Sequence, residues 1–115
     1  MAKKTKILYS PISKMDISEI HAIIAEVNRP AANRTRKGIG QIIKHLHTHP
    51  LMGAELNTIC IINTPYRFLV YDQYLIFYQY FKKMDTIQIY RVLNGTTNYL
   101  NVLLRDYKEY PSVTE

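Results

Sequence analysis

The sequence predicts an α+β fold, in which two N-terminal helices pack on a mostly antiparallel sheet of three to five strands. Apolar residues recur at spacings of three and four in the first half of the chain, which is typical of amphipathic helices. From about residue 58 onward, β-branched and aromatic residues alternate with short turns, which is typical of strands. The 115 residues suit a single domain, predicted to span residues 1–107 and to be followed by a polar tail at 108–115.

The first helix is predicted to follow a short strand at Ile7-Leu8-Tyr9. The Ser10 side chain can cap this helix by accepting a hydrogen bond from an N–H of the first turn. Pro11 suits the first turn, because a residue there needs no N–H for a helical hydrogen bond. The helix is expected to end near Asn28. Its apolar face is predicted from the spacing to contain Ile12, Met15, Ile20, Ile23, Ile24 and Val27.

A second helix is predicted to open at Pro30 and to stop at His49-Pro50. Gly38 and Gly40 are unfavourable inside a helix by about 1 kcal/mol each relative to alanine, so a bend is expected there. The predicted apolar stripe consists of Ala32, Ile39, Ile42, Ile43 and Leu46. The predicted outer face consists of Arg34, Arg36, Lys37, Gln41 and Lys44.

The second half of the chain is predicted to form four strands and a last short helix. The strands are expected at Thr58–Ile62, Tyr66–Tyr71, Tyr74–Phe81 and Thr86–Leu93, and the helix near Tyr99–Leu104. The loops between the last three strands are short enough for hairpins, which predicts an antiparallel meander. Both sides of the third strand are apolar or aromatic, so both faces of the sheet are expected to be covered, one of them by the helices.

The charge of the chain is concentrated near the second helix. The net charge is +6, and the segment between Val27 and Ala54 contains five Lys and Arg residues but no carboxylate. Such a surface attracts polyanions, including RNA, DNA and acidic protein segments. A solvated helix face that only aids solubility explains the charge equally well.

Other features of the composition favour a soluble cytoplasmic protein without a cofactor. No apolar run is long enough to cross a bilayer, and the N-terminal lysines are not followed by the apolar region of a signal peptide. Cys60 has no second cysteine to pair with and suits a small buried hydrophobe. No metal site is predicted at His45, His47 and His49, because no Cys, Asp or Glu lies close enough in sequence to complete one.

The order of these elements, together with four short motifs and their spacing along the chain, resembles the RelE/ParE superfamily of bacterial toxins over about Ile7 to Leu104. The motifs are Ser10-Pro11, Pro50-Leu51-Met52-Gly53, Tyr74-Leu75-Ile76-Phe77-Tyr78 and Arg91-Val92-Leu93-Asn94-Gly95. The resemblance implies the toxin of a type II toxin-antitoxin module, neutralised by a cognate antitoxin, which is expected to cover part of the sheet face opposite the helices. It also implies one of two actions: RelE-like members cleave mRNA on the ribosome without a metal, and ParE-like members inhibit DNA gyrase by binding.

The strand end at residues 94–98 distinguishes these two actions. Metal-free RNA cleavage needs side chains that transfer protons and stabilise the charge on the phosphate. Where relatives that resemble this chain carry His, Arg and Asp, this sequence has Asn94, Thr97 and Asn98, and Leu75 replaces an arginine of RelE-like members. None of these side chains is charged or titrates near neutral pH. We therefore expect ParE-like inhibition by binding.

The alternative is a RelE-like nuclease that uses the remaining polar groups near the strand end. In that set, Arg67 would hold the phosphate, Tyr99 would act as acid or base, and Lys82 or Lys83 would stabilise charge. Ion pairing of Arg67 and packing of Tyr99 are the structural alternatives. A third possibility is a non-toxic repressor partner that contacts operator DNA through the antitoxin complex. Residues predicted to bind the target or nucleic acid are Arg34, Arg36, Lys37, Lys44, Arg67, Arg91 and the strand-end loop Asn94, Gly95, Thr96, Thr97 and Asn98.

Overall fold

The computed structural model describes residues 4–58 and 64–103, which form five strands and two long helices, followed by a short third helix. The described part of the chain contains no helix long and apolar enough to span a membrane. The elements are β1 Lys6–Tyr9, α1 Pro11–Ala25, α2 Arg29–Lys44, β2 Ala54–Glu55, β3 Arg67–Tyr71, β4 Tyr74–Phe81, β5 Thr86–Asn94 and the helical residues 99–103, called α3. Short 3-10 helices lie at His45–His47, Leu56–Thr58 and Lys82–Met84.

The strands form one sheet in the order β1-β5-β4-β3-β2. Strands β3, β4 and β5 make the predicted antiparallel meander, and β1 joins the far side of β5 in parallel. A bulge at Phe77/Tyr78 shifts the register between β4 and β5. The predicted α+β class is confirmed, with five strands in the sheet.

Helix α1 begins where its predicted cap places it, and α2 begins at Arg29, one residue before the predicted Pro30. The Ser10 side chain accepts a hydrogen bond from the Ser13 N–H at 3.1 Å, and Pro11 occupies the first turn of α1. The Asn28 side chain accepts a hydrogen bond from the Ala31 N–H at 3.0 Å and so caps α2. Helix α1 ends at Ala25, three residues before its predicted end.

The predicted apolar face of α1 is only partly correct. Ile20 and Ile24 pack on the core together with Ile17. These three residues follow one another at spacings of three and four, which places them on the inward side of α1. The other predicted members are exposed, because they lie on the flank of the helix or, for Val27, beyond its end. Their exposed fractions are Ile12 38%, Met15 69%, Ile23 60% and Val27 92%.

The predicted apolar stripe of α2 packs on the core, but the α-helix ends at Lys44, before the predicted stop at His49-Pro50. Ala32, Ile39 and Ile43 are buried in α2, and Leu46 is buried in the 3-10 helix that follows it. A side chain at Gly38 would collide with the Tyr71 ring, so glycine permits α2 to approach β3 at this point. The predicted bend at Gly38 and Gly40 stays a prediction.

The described residues cover both faces of the sheet, as the two apolar sides of the Tyr74–Phe81 strand predict. The helices cover one face around Ile76, Tyr78 and Ile89. A second cluster on the opposite face joins Leu56, Tyr66, Phe77 and Leu103, with Tyr99 and Leu100 of α3 packed against it. The helix predicted near Tyr99 is thus confirmed as far as residue 103.

The predicted strand at Thr58–Ile62 requires a correction at its first residue. Thr58 belongs to the 3-10 helix Leu56–Thr58, whose first residue donates its N–H to the Tyr66 carbonyl at 2.9 Å. The remainder of that predicted strand, Cys60 and the predicted tail at 108–115 lie outside the described residues.

Candidate functional site at the end of strand β5

The turn that follows β5 is organised by Asn94. Its side-chain oxygen accepts hydrogen bonds from the Thr96 N–H at 2.9 Å and the Thr96 hydroxyl at 2.8 Å. Its carbonyl accepts from the Thr97 hydroxyl at 2.6 Å, and the Gly95 N–H donates to the Gln73 carbonyl at 2.7 Å. An asparagine side chain that bonds the backbone two residues ahead is a standard turn former. The polar groups of this turn are therefore engaged in holding its shape.

A groove of about 430 Å³ lies between this turn and the flank of α1. Its walls combine apolar side chains with the polar turn. The lining residues are Asp16, Glu19, Ile20, Ile23, Ile24, Gln73, Tyr74, Arg91, Val92, Leu93, Asn94 and Thr97. The exposed Ile23 contributes apolar surface to this groove, so the groove can accept the apolar side chain of another protein.

Asp16 and Arg91 form an ion pair in the wall of the groove. The Arg91 Nε and Nη2 atoms donate to the two Asp16 oxygens at 2.8 and 2.9 Å. The Val92 N–H also donates to Asp16 at 3.0 Å. The pairing of β1 with β5 ends at Tyr9 and Ile89, so Val92 lies beyond it. Asp16 thus accepts the hydrogen bond that a neighbouring strand would otherwise accept. The side chains of Arg91 and Asp16 are only 12% and 10% exposed, which indicates a structural role for the pair.

Arg67 lies in a different part of the sheet and holds the connection between α2 and β2. Its guanidinium donates to the Gly53 carbonyl at 2.7 Å and to Glu55 at 3.2 Å. Tyr78 lies opposite Arg67 and completes this network, because its hydroxyl donates to the Pro50 carbonyl at 3.0 Å and accepts from the Gly53 N–H at 2.9 Å. The ion pairing considered as an alternative role for Arg67 is therefore present.

Burial raises the pKa of the Tyr78 hydroxyl above its ordinary value of 10.0. The hydrogen bond from Gly53 and the positive charge of Arg67 act in the opposite direction but are smaller effects. A phenol with a raised pKa remains protonated at neutral pH, so Tyr78 serves as a hydrogen-bond donor to Pro50.

The candidate nuclease residues are not brought together. Arg67 and Tyr78 lie on the sheet face that packs against the helices, whereas Tyr99 packs on the opposite face with its ring 5.8 Å from that of Phe77. Lys82 follows the end of β4 that pairs with Thr86, and the strand-end turn lies at the opposite end of β4 and β5. Seven residues of β4 separate these ends, which corresponds to about 24 Å. Arg67, Lys82 and Lys83 therefore do not meet at the strand end, and a catalytic role for them stays a prediction.

The cations predicted on α2 lie on its outer surface. Arg34, Arg36, Lys37 and Lys44 are all exposed. They are carried by a helix whose opposite side packs on the core, so their side chains face solvent. Their predicted role in binding stays a prediction.

Two of the three histidines after α2 make local hydrogen-bond contacts. The His47 Nδ1 atom lies 2.7 Å from the Thr5 carbonyl, and the His49 Nδ1 atom lies 2.9 Å from the Thr48 hydroxyl. Within residues 4–58 and 64–103, no three His, Cys, Asp or Glu side chains are placed to hold a metal ion. His45 and His49 border a shallow depression of about 540 Å³ together with Pro50, Leu51 and Met52.

Asp16 is the residue of this site that the sequence analysis missed. The signal was present, because Asp16 falls between Ile12 and Ile20 at intervals of four residues and so lies on the same flank of α1. A lone carboxylate within an apolar row usually has a partner when the helix packs. In this fold that partner is Arg91.

Residues 7–99 match the family model described as the ParE toxin of type II toxin-antitoxin system, parDE. The chain belongs to this ParE toxin family. The resemblance to the RelE/ParE superfamily is thereby confirmed. No curated protein sequence matches the chain.

Two solved structures share the fold of this ParE-family chain. The chromosomal ParDE TA system from P. aeruginosa matches with a TM-score of 0.66 and 16% identity, covering 81% of this chain and 98% of the other. The toxin-antitoxin complex RelBE2 from Mycobacterium tuberculosis matches with a TM-score of 0.61 and 13% identity, covering 82% of this chain and 94% of the other. At these identities the likeness concerns the fold, which ParDE and RelBE structures have in common.

Proposed function

We propose that this ParE-family chain stops growth by binding DNA gyrase and that a cognate antitoxin neutralises it. The observation that carries the proposal is the turn after β5, where residues 94–98 contain no ionisable side chain. Asn94, Thr96 and Thr97 in that turn bond one another. A site that transfers protons needs groups that titrate, and this turn supplies none.

The surroundings of the turn support binding over RNA cleavage. Arg91, the ionic group closest to the turn in sequence, is held by Asp16. Arg67 and Tyr99 lie on opposite faces of the sheet, so they do not converge on one phosphate. The groove beside the turn offers apolar walls at Ile20, Ile23 and Ile24, which suits a protein partner.

The names of two similar structures support an antitoxin as the partner of this chain. The similar structures carry the names of a ParDE system and a RelBE2 toxin-antitoxin complex. The chain also exposes large apolar side chains, including Met15, Ile23 and Val70. A partner that covers such side chains removes apolar surface from water.

A supercoiling assay with purified DNA gyrase and relaxed plasmid tests this proposal. The full chain should inhibit supercoiling, and the protein encoded beside it should restore supercoiling when added at equal concentration. Uninhibited gyrase together with mRNA cleavage on ribosomes would contradict the proposal and identify a RelE-like nuclease. Inhibition of neither process would identify a non-toxic repressor partner.

A further inference from the structure

The outer surface of α2 carries positive charge along one line. Arg34, Lys37 and Lys44 follow one another with Gln41 at spacings of three, four and three residues, which places all four on one side of the helix. We call Arg34, Lys37 and Lys44 the basic stripe. All three are exposed, and the stripe extends over ten residues, which corresponds to about 15 Å along the helix axis.

The cations of α2 have no partners within the described residues 4–58 and 64–103. Among those residues, no ion pair and no hydrogen bond involves the side chains of the basic stripe. Arg29 and Arg36 add two further exposed charges on the flank of α2. No carboxylate lies between Val27 and Ala54 to balance these five charges.

The composition of this surface distinguishes between classes of partner. The exposed residues of α2 are the five cations, two side-chain amides and one proline, without an exposed aliphatic side chain. Protein interfaces have an apolar centre, whereas nucleic-acid interfaces are polar and strongly positive. Single strands are bound on aromatic rings, and residues 29–44 contain none.

We propose that the basic stripe of α2 binds the phosphate backbone of double-stranded nucleic acid without reading its sequence. Lys, Arg and amide side chains are the usual donors to phosphate oxygens, and all three types lie on this surface. The rigid helix holds the charges in place, because its other side is fixed in the core by Ile39 and Ile43. This function is separate from the proposed inhibition of gyrase and uses a different surface from the β5 turn.

Counterion release gives the proposal a quantitative form. Three phosphate contacts by the basic stripe correspond to a slope of about −2.7 for log K against log salt concentration, and removing its three cations should remove that part of the slope. At low salt the affinity should fall by at least about tenfold for the triple variant. The variant is Arg34→Gln with Lys37→Gln and Lys44→Gln, all at exposed positions outside the core.

The control removes the same charge from another surface. Lys4, Lys6 and Lys14 are exposed on and beside β1 and at the start of α1, and their triple change to glutamine gives the same net charge. Both variants should keep the circular dichroism spectrum of the full chain. The probes are fluorescently labelled 25-base-pair DNA and RNA duplexes of two unrelated sequences, with anisotropy measured from 50 to 200 mM salt.

The expected result is that the basic-stripe variant loses both affinity and salt dependence while the control keeps most of each. Equal losses in the two variants would overturn the proposal, because global charge would then explain the binding. Tighter binding of polyglutamate than of either duplex would also overturn it and assign the surface to an acidic protein. Failure of gyrase inhibition leaves these measurements unaffected, since no gyrase is present.

Discussion

Substitution Asp16→Ala should cost this chain about 3–5 kcal/mol of its free energy of unfolding. Asp16 accepts two hydrogen bonds from Arg91 and one from the Val92 N–H, at 2.8, 2.9 and 3.0 Å. The Arg91 side chain is 12% exposed, so alanine would leave its charge largely out of water and without the carboxylate that pairs with it. Removing one member of a buried ion pair typically costs this amount.

Glu55→Ala provides the matched control. Glu55 pairs with Arg67 at 3.2 Å but is 57% exposed, and Arg67 retains its bond to the Gly53 carbonyl. Such exposed pairs contribute about 0–1 kcal/mol. Asp16→Asn should fall between the two, because one amide oxygen can still accept from the Val92 N–H.

Urea denaturation followed by circular dichroism measures both effects. For domains of this size the free energy of unfolding decreases by about 1–3 kcal/mol per molar urea. The urea concentration at the unfolding midpoint of Asp16→Ala should therefore be lower than that of the unchanged chain by at least about 1 M. A cost for Asp16→Ala no larger than that for Glu55→Ala would refute the reasoning. The ion pair would then contribute no more than a surface contact.

Three further predictions concern glycines, alkaline pH and the groove. Gly53→Ala should destabilise the fold by about 1–3 kcal/mol in thermal unfolding, because the new Cβ would lie 2.7 Å from the Phe68 carbonyl oxygen. Gly40→Ala should stabilise the fold by about 1 kcal/mol, because its Cβ would meet nothing within 4 Å and alanine favours a helix over glycine. Burial raises the pKa of Tyr78, so its contribution to the free energy of unfolding should be complete below pH 10 and disappear as pH rises through the folded-state pKa. In urea titrations, Tyr78→Phe should therefore lose less free energy of unfolding at alkaline pH than the unchanged chain. Ile23→Lys, in the groove, should abolish growth inhibition, whereas Met15→Lys, which is equally accessible but outside the groove lining, should retain it; equal toxicity of the two variants would count against the groove as a binding surface.

Local signals in the sequence predicted the elements of this fold well. Ser10 lies where the cap of α1 was expected, and Pro11 follows directly. The predicted bounds of β4 and β5 match the observed ones within one residue. These features depend on neighbouring residues, which a sequence displays directly.

Features that depend on how elements face each other were predicted less well. Ile12 and Met15 have helical spacing, but the direction in which α1 faces the sheet leaves them exposed and selects Ile17 instead. The partnership of Asp16 with Arg91 joins residues 75 positions apart. Likewise, Arg67 and Lys82, which the alternative nuclease set placed near the strand end, lie away from the β5 turn because the strands carry them along the sheet.

The absence of charge at the candidate site was readable from the sequence, but its geometry was not. Asn94, Thr97 and Asn98 already indicate a turn without titratable groups. The hydrogen bonds by which Asn94 holds this turn require the Thr96 and Thr97 positions in three dimensions. The groove beside the turn depends on the packing of α1 and has no local signature.

The most direct test of the central claim is to induce the chain in a host without its antitoxin and to follow DNA and protein synthesis separately. Labelled thymidine reports replication, and labelled amino acids report translation in the same culture. Inhibition of gyrase predicts that thymidine incorporation fails first while translation continues. An earlier failure of amino-acid incorporation would contradict the account and show that the fold cuts mRNA despite its uncharged turn after β5.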